Sequence, residues 1–163
     1  LAEDLYEDIE LLYPYYRLKE AGAKVLVVGS GGASSYHGKH GIPVAVDVQA
    51  AEVDPASVDA LVVPGGYAPD LMRRHQDMLG LVKAVSDQGK PVASICHGPW
   101  VPISAGIVKG KRVTGVSSIR DDLVNAGARW VDAEVVVDGN LISSRGPSDL
   151  PAFCRTIIDQ LGG

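Results

Sequence analysis

The chain is poor in the features that mark secreted, membrane-spanning and nucleic-acid-binding proteins. Only two of its 163 residues are cysteines, Cys96 and Cys154, too few for the disulfide framework of a small secreted scaffold. No basic stretch leads into an apolar one near the start, so no signal peptide is read. No run approaches the roughly 18 consecutive apolar residues of a membrane helix. Basic side chains number 15 against 20 acidic ones, a net charge of −5. Without a Lys/Arg stripe, nucleic acid is not expected as the main partner. The expected compartment is the reducing cytoplasm.

What is present is an ordinary globular composition, 46% hydrophobic and 21% charged, at a length that suits one domain over residues 1–163. No internal repeat or flexible linker interrupts it. The spacing of Ile9, Leu12, Tyr13 and Tyr16 predicts a helix over 7–21 closed by Gly22, with Pro14 kinking or dividing it. Apolar runs at 24–29, 58–63 and 91–96 read as strands buried on both faces. Between the last two, residues 69–88 have helical apolar spacing, ended by Gly89. Strand, helix, strand with short connections points to a mostly parallel sheet flanked by helices. Residues 98–108 read as a helix ending at Gly110, and 118–126 as a helix with Ser118 in N-cap position. Residues 133–144 read as a hairpin and 148–161 as the final helix. The stretch 30–42 is the one loose region.

The chemistry concentrates at Ala93-Ser94-Ile95-Cys96-His97-Gly98-Pro99. A nucleophile-type residue ends a buried strand, and glycine two residues on permits a sharp turn into a helix, which exposes the side chain at the top of the sheet. The positive end of that helix is expected to lower the Cys96 pKa. Cys154, mid-helix beside Phe153, reads as core. The turn Pro64-Gly65-Gly66-Tyr67 follows a neighbouring strand and can bring bare backbone N–H groups to Cys96 as oxyanion donors. Adjacent residues at a sharp turn diverge, so His97 is read as an orienting or cross-subunit base, not an intrachain partner of Cys96. No histidine follows His97, which excludes the Cys…His-x-Glu triad of class I glutamine amidotransferases. His37, His40 and His75 are expected on the solvated surface and give no metal set. Glu7 and Glu10, three residues apart on the first helix, share neighbouring parts of one face; either reaches the elbow if that helix packs over the strand ends, and otherwise both are solvated surface carboxylates.

Five segments together strongly resemble the PfpI branch of the ThiJ/PfpI superfamily: residues 7–14, Gly38-Lys39-His40-Gly41, Val63-Pro64-Gly65-Gly66, residues 89–99 and residues 130–140. The likeness runs from about Glu3 to Leu161, and its most specific part is the Cys-His-Gly-Pro elbow. The resemblance implies a flavodoxin-like α/β sandwich of the class I glutamine amidotransferase type, a homo-oligomer (dimer or hexamer) and a cysteine-dependent activity. By position, Cys96 would be the nucleophile and Glu7 the buried carboxyl bonded to its sulfur. The Gly66 and His97 amides would form the oxyanion pocket, with Gly65 and Gly98 beside them. Asp70 of a neighbouring subunit would complete His97. No cofactor or metal is implied.

The chain departs from the family pattern in three places. The family's first strand is missing except for Leu1-Ala2, which is expected to leave a central sheet position empty and suggests a longer natural polypeptide. Val116 stands near the pocket where relatives often carry Tyr or His. Pro102 follows the elbow where an aliphatic residue is usual, forfeiting one backbone donor beside Trp100. The superfamily's activities include intracellular peptidase, glyoxalase, deglycase and chaperone-like holding, and fold does not choose among them. The leading expectation is a thiolate enzyme acting on small carbonyl compounds, carbonyl adducts or peptides in stress defence. The alternatives are a redox or carbonyl sensor or holdase with an oxidisable Cys96, and a biosynthetic enzyme with a changed substrate.

Overall fold

A computed structural model describes residues 1–162. In chain order the elements are α1 (Asp8–Glu20), β1 (Val28–Gly29), β2 (Ser35–His37), β3 (Pro43–Ala45), β4 (Val48–Gln49), β5 (Leu61–Val63), α2 (Ala68–Met72), α3 (Gln76–Asp87), β6 (Val92–Ile95), α4 (Trp100–Ser104), β7 (Arg112–Val113), α5 (Arg120–Asn125), β8 (Arg129–Trp130), β9 (Val135–Asp138), β10 (Leu141–Ser144) and α6 (Leu150–Gln160). The central sheet runs β5-β6-β10-β9. Its first three strands are parallel, with Val62 beside Ala93 and Ala93 beside Ile142, and β9 is the antiparallel edge.

The pleat divides the side chains between two layers. Leu61, Val63, Val92 and Leu141 enter the cluster that holds Met78, Val82 and Val85 of α3 and Val101 of α4. Ala93, Ile95 and Ile142 enter the cluster of Leu18 from α1 with Phe153, Cys154 and Ile157 from α6. The result is the predicted α/β sandwich, a mostly parallel sheet with helices on both faces. Cys154 is fully buried in the second cluster, and burial pushes its thiol up to about 12, as its core reading requires.

Several element boundaries differ from the sequence expectation. Pro14 does not divide α1, which runs unbroken through it with Leu11, Pro14 and Leu18 on the buried stripe. Residues 69–88 form two helices, because Arg73, Arg74 and His75 bond back to Pro69, Leu71 and Met72 in a tightened turn before α3 restarts. The helix after the elbow stops at Gly106 (φ 74°), short of Gly110. Pro102 is the third residue of α4, where the N–H has no intrahelical acceptor, so no helix bond is forfeited. The loose region 30–42 contains β2 and joins the β2–β3 hairpin.

The apolar run at 24–29 is a strand only at its end. Lys24 and Leu26 are exposed, and only Val28 and Gly29 pair, with Val48 and Gln49 of β4. Between this run and β5 lies a cleft of about 900 Å3 lined by residues 22–28, 57–62 and the end of α6. Leu1-Ala2 spans one end of it. The Leu1 nitrogen donates to the Val62 carbonyl at 2.6 Å and the Ala2 amide to the Val28 carbonyl at 2.8 Å.

Candidate active site

Three segments meet at the carboxyl edge of the central sheet: the turn after β5, the turn after β6 and the start of α1. Cys96 follows β6 with φ 61°, a left-handed conformation in a residue that is not glycine. Such strain, of the order of 1–3 kcal/mol, persists only where the surroundings hold it. Here the Cys96 amide donates to the Ser144 carbonyl (3.1 Å), its carbonyl accepts from the Val116 amide (3.1 Å), and the Gly98 amide closes onto Ile95 (2.7 Å). Gly98 is required sterically, since a Cβ there would sit 2.6 Å from the Val63 carbonyl oxygen. Val116 thus serves the elbow through its backbone.

The second turn is as tightly fitted. A Cβ on Gly65 would fall 2.4 Å from Glu10 Oε2 and 2.6 Å from Cys96 Cβ. Gly66 has φ 80°, and a Cβ there would strike the Glu7 nitrogen. The missing side chains let Tyr6 bridge to Gly66 and let the Glu7 amide reach the Gly65 carbonyl at 3.1 Å. The backbone amides of Gly66 and His97 favour the anionic form of the Cys96 sulfur, as expected of an anion-stabilising pocket.

The carboxyl beside the sulfur is Glu10, which corrects the assignment to Glu7. Glu10 is fully buried. Its Oε2 accepts the Gly65 amide at 2.9 Å, Oε1 is buried without a hydrogen-bond partner, and the carboxyl and the Cys96 side chain flank the same point at Gly65. Glu7 lies nearly a full turn earlier and pairs with Lys39 at the rim. The reason is helical phase: Glu10 shares the buried stripe with Leu11, Pro14 and Leu18, whereas Glu7 precedes the helix as its N-cap.

Burial, then the nearby Glu7 charge, push Glu10 up to about 7, against the pull of the Gly65 amide, Cys96 and the Lys39 charge. Cys96 is pushed up to about 12 by burial and by the Glu10 charge, only partly offset by the two amides. The expectation of a lowered thiol pKa is therefore overturned. Residues 100–104 give a short helix whose field is outweighed by desolvation and a neighbouring carboxylate.

His97 also departs from expectation. Its Nδ1 lies 3.3 Å from the Cys96 sulfur, within one chain. The left-handed turn at Cys96 folds the backbone so that the next ring swings back over the thiol. Burial, then the Lys39 charge, depress the His97 pKa below its ordinary value, so the ring is neutral at pH 7. The ring packs on Trp100 with centroids 5.0 Å apart, and its Nε2 meets Ser118 Oγ at 3.3 Å. Within the chain Asp70 pairs with Arg74 on α2 and its continuation rather than with His97.

The Gly38-Lys39-His40-Gly41 turn roofs the site. Asp8 holds it, accepting from the His40 amide (3.0 Å) and the Ile42 amide (3.2 Å). A Cβ on Gly38 would collide with that carboxylate at 2.3 Å. His40 is thus engaged by Asp8 as well as solvated, with Nδ1 3.0 Å from its carboxylate. Glu7, Asp8 and His40 offer ligand atoms within 4.8 Å of one another. The Lys39 ammonium on Glu7 and the two amides on Asp8 already engage those carboxylates, which disfavours a cation there. His75 faces Glu3 at 3.8 Å, and His37 is exposed.

Residues that the sequence reading did not carry forward are Glu10, Lys39 and Ser118. Glu10 had a signal, a lone carboxylate on the apolar stripe of a helix. Ser118 has the residue type of a helix cap, but α5 has no side-chain cap and the hydroxyl turns to His97.

Comparison with known proteins agrees with this architecture. The chain matches the DJ-1/PfpI family over residues 1–160. It is 52% identical over 161 residues to a Pyrococcus abyssi protein named a deglycase, covering 99% of this chain and 96% of that one. It is 48% identical, with the same coverages, to the deglycase PfpI of Pyrococcus furiosus. A crystal structure of a two-domain protein from Anabaena variabilis, with DJ-1/ThiJ/PfpI-like and ferritin-like domains, superposes with a TM-score of 0.96 at 43% identity, covering 99% of this chain and 46% of that one. A Cys-His-Gly-Pro elbow on a doubly flanked parallel sheet, matched along nearly its whole length, places the chain in the DJ-1/PfpI family.

Proposed function

We propose that the protein is a cysteine-dependent enzyme that processes reactive carbonyls and their early adducts on amines, a deglycase or glyoxalase in which Cys96 is the nucleophile. The observation that carries this reading is the Cys96 sulfur, held on a strained turn between the Glu10 carboxyl, the His97 ring and the amides of Gly66 and His97. Relatives about half identical bear the name deglycase, which supports the same choice.

With an α-oxoaldehyde the steps balance without a cofactor. The thiol proton passes to His97 Nδ1 as sulfur bonds to the aldehyde carbon. The carbonyl π pair moves onto oxygen, which faces the Gly66 and His97 amides and takes the proton of Glu10. The Glu10 carboxylate then removes the hydrogen from that carbon and returns it to the neighbouring one, while His97 exchanges its proton between the two oxygens. The product is a thioester, which water hydrolyses to a 2-hydroxy acid, regenerating the thiol. Glu10 near pKa 7 suits a group that both gives and takes protons at neutral pH. An amine adduct enters the same path once its amine leaves.

The test is amine release from a methylglyoxal-treated lysine peptide, followed beside cleavage of the same unmodified peptide. Saturable amine release without backbone cleavage is expected. Cleavage without amine release would replace the reading with a peptidase. A mass gain at Cys96 with peroxide and no turnover on either substrate would replace it with a sensor.

A further inference from the structure

We propose that Ser118 is the positioning residue for His97, its hydroxyl holding the imidazole as the tautomer whose Nδ1 takes the Cys96 proton. The inference deepens the proposed function and rests on it for the identity of the reaction, but not for the chemistry of the thiol. It starts from a chain of contacts within one subunit: Cys96 Sγ to His97 Nδ1 at 3.3 Å, then His97 Nε2 to Ser118 Oγ at 3.3 Å.

Nδ1 accepts the thiol proton only if the neutral ring carries its own proton on Nε2. A hydroxyl oxygen at Nε2 accepts from that N–H and continues to accept after Nδ1 is protonated, so one contact serves the ring before and after transfer. In the transfer the S–H bond breaks and the Nδ1–H bond forms. The Ser118 hydrogen is left to solvent, since Ser118 is exposed.

The surroundings fix the ring about that axis. Trp100 lies against it at 5.0 Å, itself anchored by a 2.8 Å hydrogen bond from Nε1 to Asp122 on α5 and covered by the Arg73 guanidinium. Ser118 stands at the entry to the same helix. One segment, 117–125, therefore aims both the flat face and the far nitrogen of His97. The structure bears on this further, since Ser118 is not spent as a helix cap. The charged and titratable groups around the ring are Cys96 on its own turn, Glu10 from α1, Lys39 from the roof turn, and Arg73 and Asp122 across Trp100.

The test uses the intact chain and needs no substrate. The second-order rate of Cys96 alkylation by iodoacetamide is measured from pH 5 to 9, and 15N shifts of the His97 ring report its tautomer. Ser118→Ala is expected to reduce alkylation near pH 7 by about 3–10-fold, the effect of one modest hydrogen bond, and to lower the Nε2–H fraction. Ser118→Thr should restore both, and Ser117→Ala should change neither. An unchanged tautomer and alkylation profile in Ser118→Ala would overturn the proposal. A shifted tautomer in a protein that turns over no carbonyl would leave it standing and remove the proposed function instead.

Discussion

Glu10 and Cys96 share one buried corner in which burial raises the cost of ionising both and the Glu10 charge raises that of the thiol further: the carboxyl rests at about 7 and the thiol at about 12. Two neighbouring anions in a dry site are strongly disfavoured, so the resting pair holds at least one proton. That proton is what the addition step uses.

Replacing Glu10 by Gln should reduce carbonyl turnover by about 10²–10⁴-fold, the usual span of a lost acid–base group. Glu7→Gln should cost far less, since Glu7 meets the rim lysine, Lys39, and not the sulfur. Steady-state rates of the two variants decide between them, and the reverse order would restore Glu7 as the working carboxyl.

The pH profile of kcat/KM should be bell-shaped. Activity needs a neutral His97, whose pKa lies below 6.5, and a protonated Glu10, lost above about 7. The rate should rise through the first and fall through the second. In Glu10→Gln the alkaline limb should disappear, and its survival there would assign that limb elsewhere.

Stability should follow the same carboxyl. Glu10 titrates at about 4.5 unfolded and about 7 folded, so between those values the folded state binds more protons and stability falls as pH rises. Relative to alkaline pH, on the order of 3 kcal/mol is present below pH 4.5 and gone once pH passes about 7. Urea unfolding of wild type minus Glu10→Gln isolates this slope from that of the other carboxylates. A flat difference would show that Glu10 is solvated.

Gly65→Ala should disable the site, because its Cβ would need the space of Glu10 Oε2 and Cys96 Cβ. Overpacking of this kind costs about 1–3 kcal/mol, and turnover should fall with it. Gly80→Ala, on the open face of α3 with nothing within 4 Å, should leave both stability and turnover in place, which thermal melts and rates of the two variants will check.

Asp70→Asn should change turnover by less than about twofold, since in one chain its partner is Arg74 in an exposed i,i+4 pair. Rates measured across a dilution series sharpen the point. A large loss in Asp70→Asn, or loss of activity on dilution, would show that a neighbouring subunit delivers Asp70 to His97.

The sandwich was legible because its signals are local and repeated. The buried runs 58–63 and 91–96, the turn glycines Gly89 and Gly139 and the hairpin at 133–144 each carry their own pattern. The elbow was legible from Cys96-His97-Gly98. What failed depends on direction in space. Choosing Glu10 over Glu7 needs the phase of α1 against the sheet, and the return of His97 over Cys96 needs the positive φ at Cys96. Ser118 carries the residue type of a helix cap, and only the packing of 117–125 against Trp100 shows that it serves a ring instead. The run at 24–27 has the composition of a central strand and lines the cleft, and only its continuation at Val28 and Gly29 pairs.

The central claim is that the Cys96 sulfur forms the bond to carbon. The most direct measurement is lactate formation from methylglyoxal by wild type, Cys96→Ala and Cys96→Ser, as initial rates over a range of concentrations, with folding of each checked by thermal melting. The account predicts saturable lactate production by wild type and none above background in either folded variant. Equal production by wild type and Cys96→Ala, or none by wild type, would contradict it.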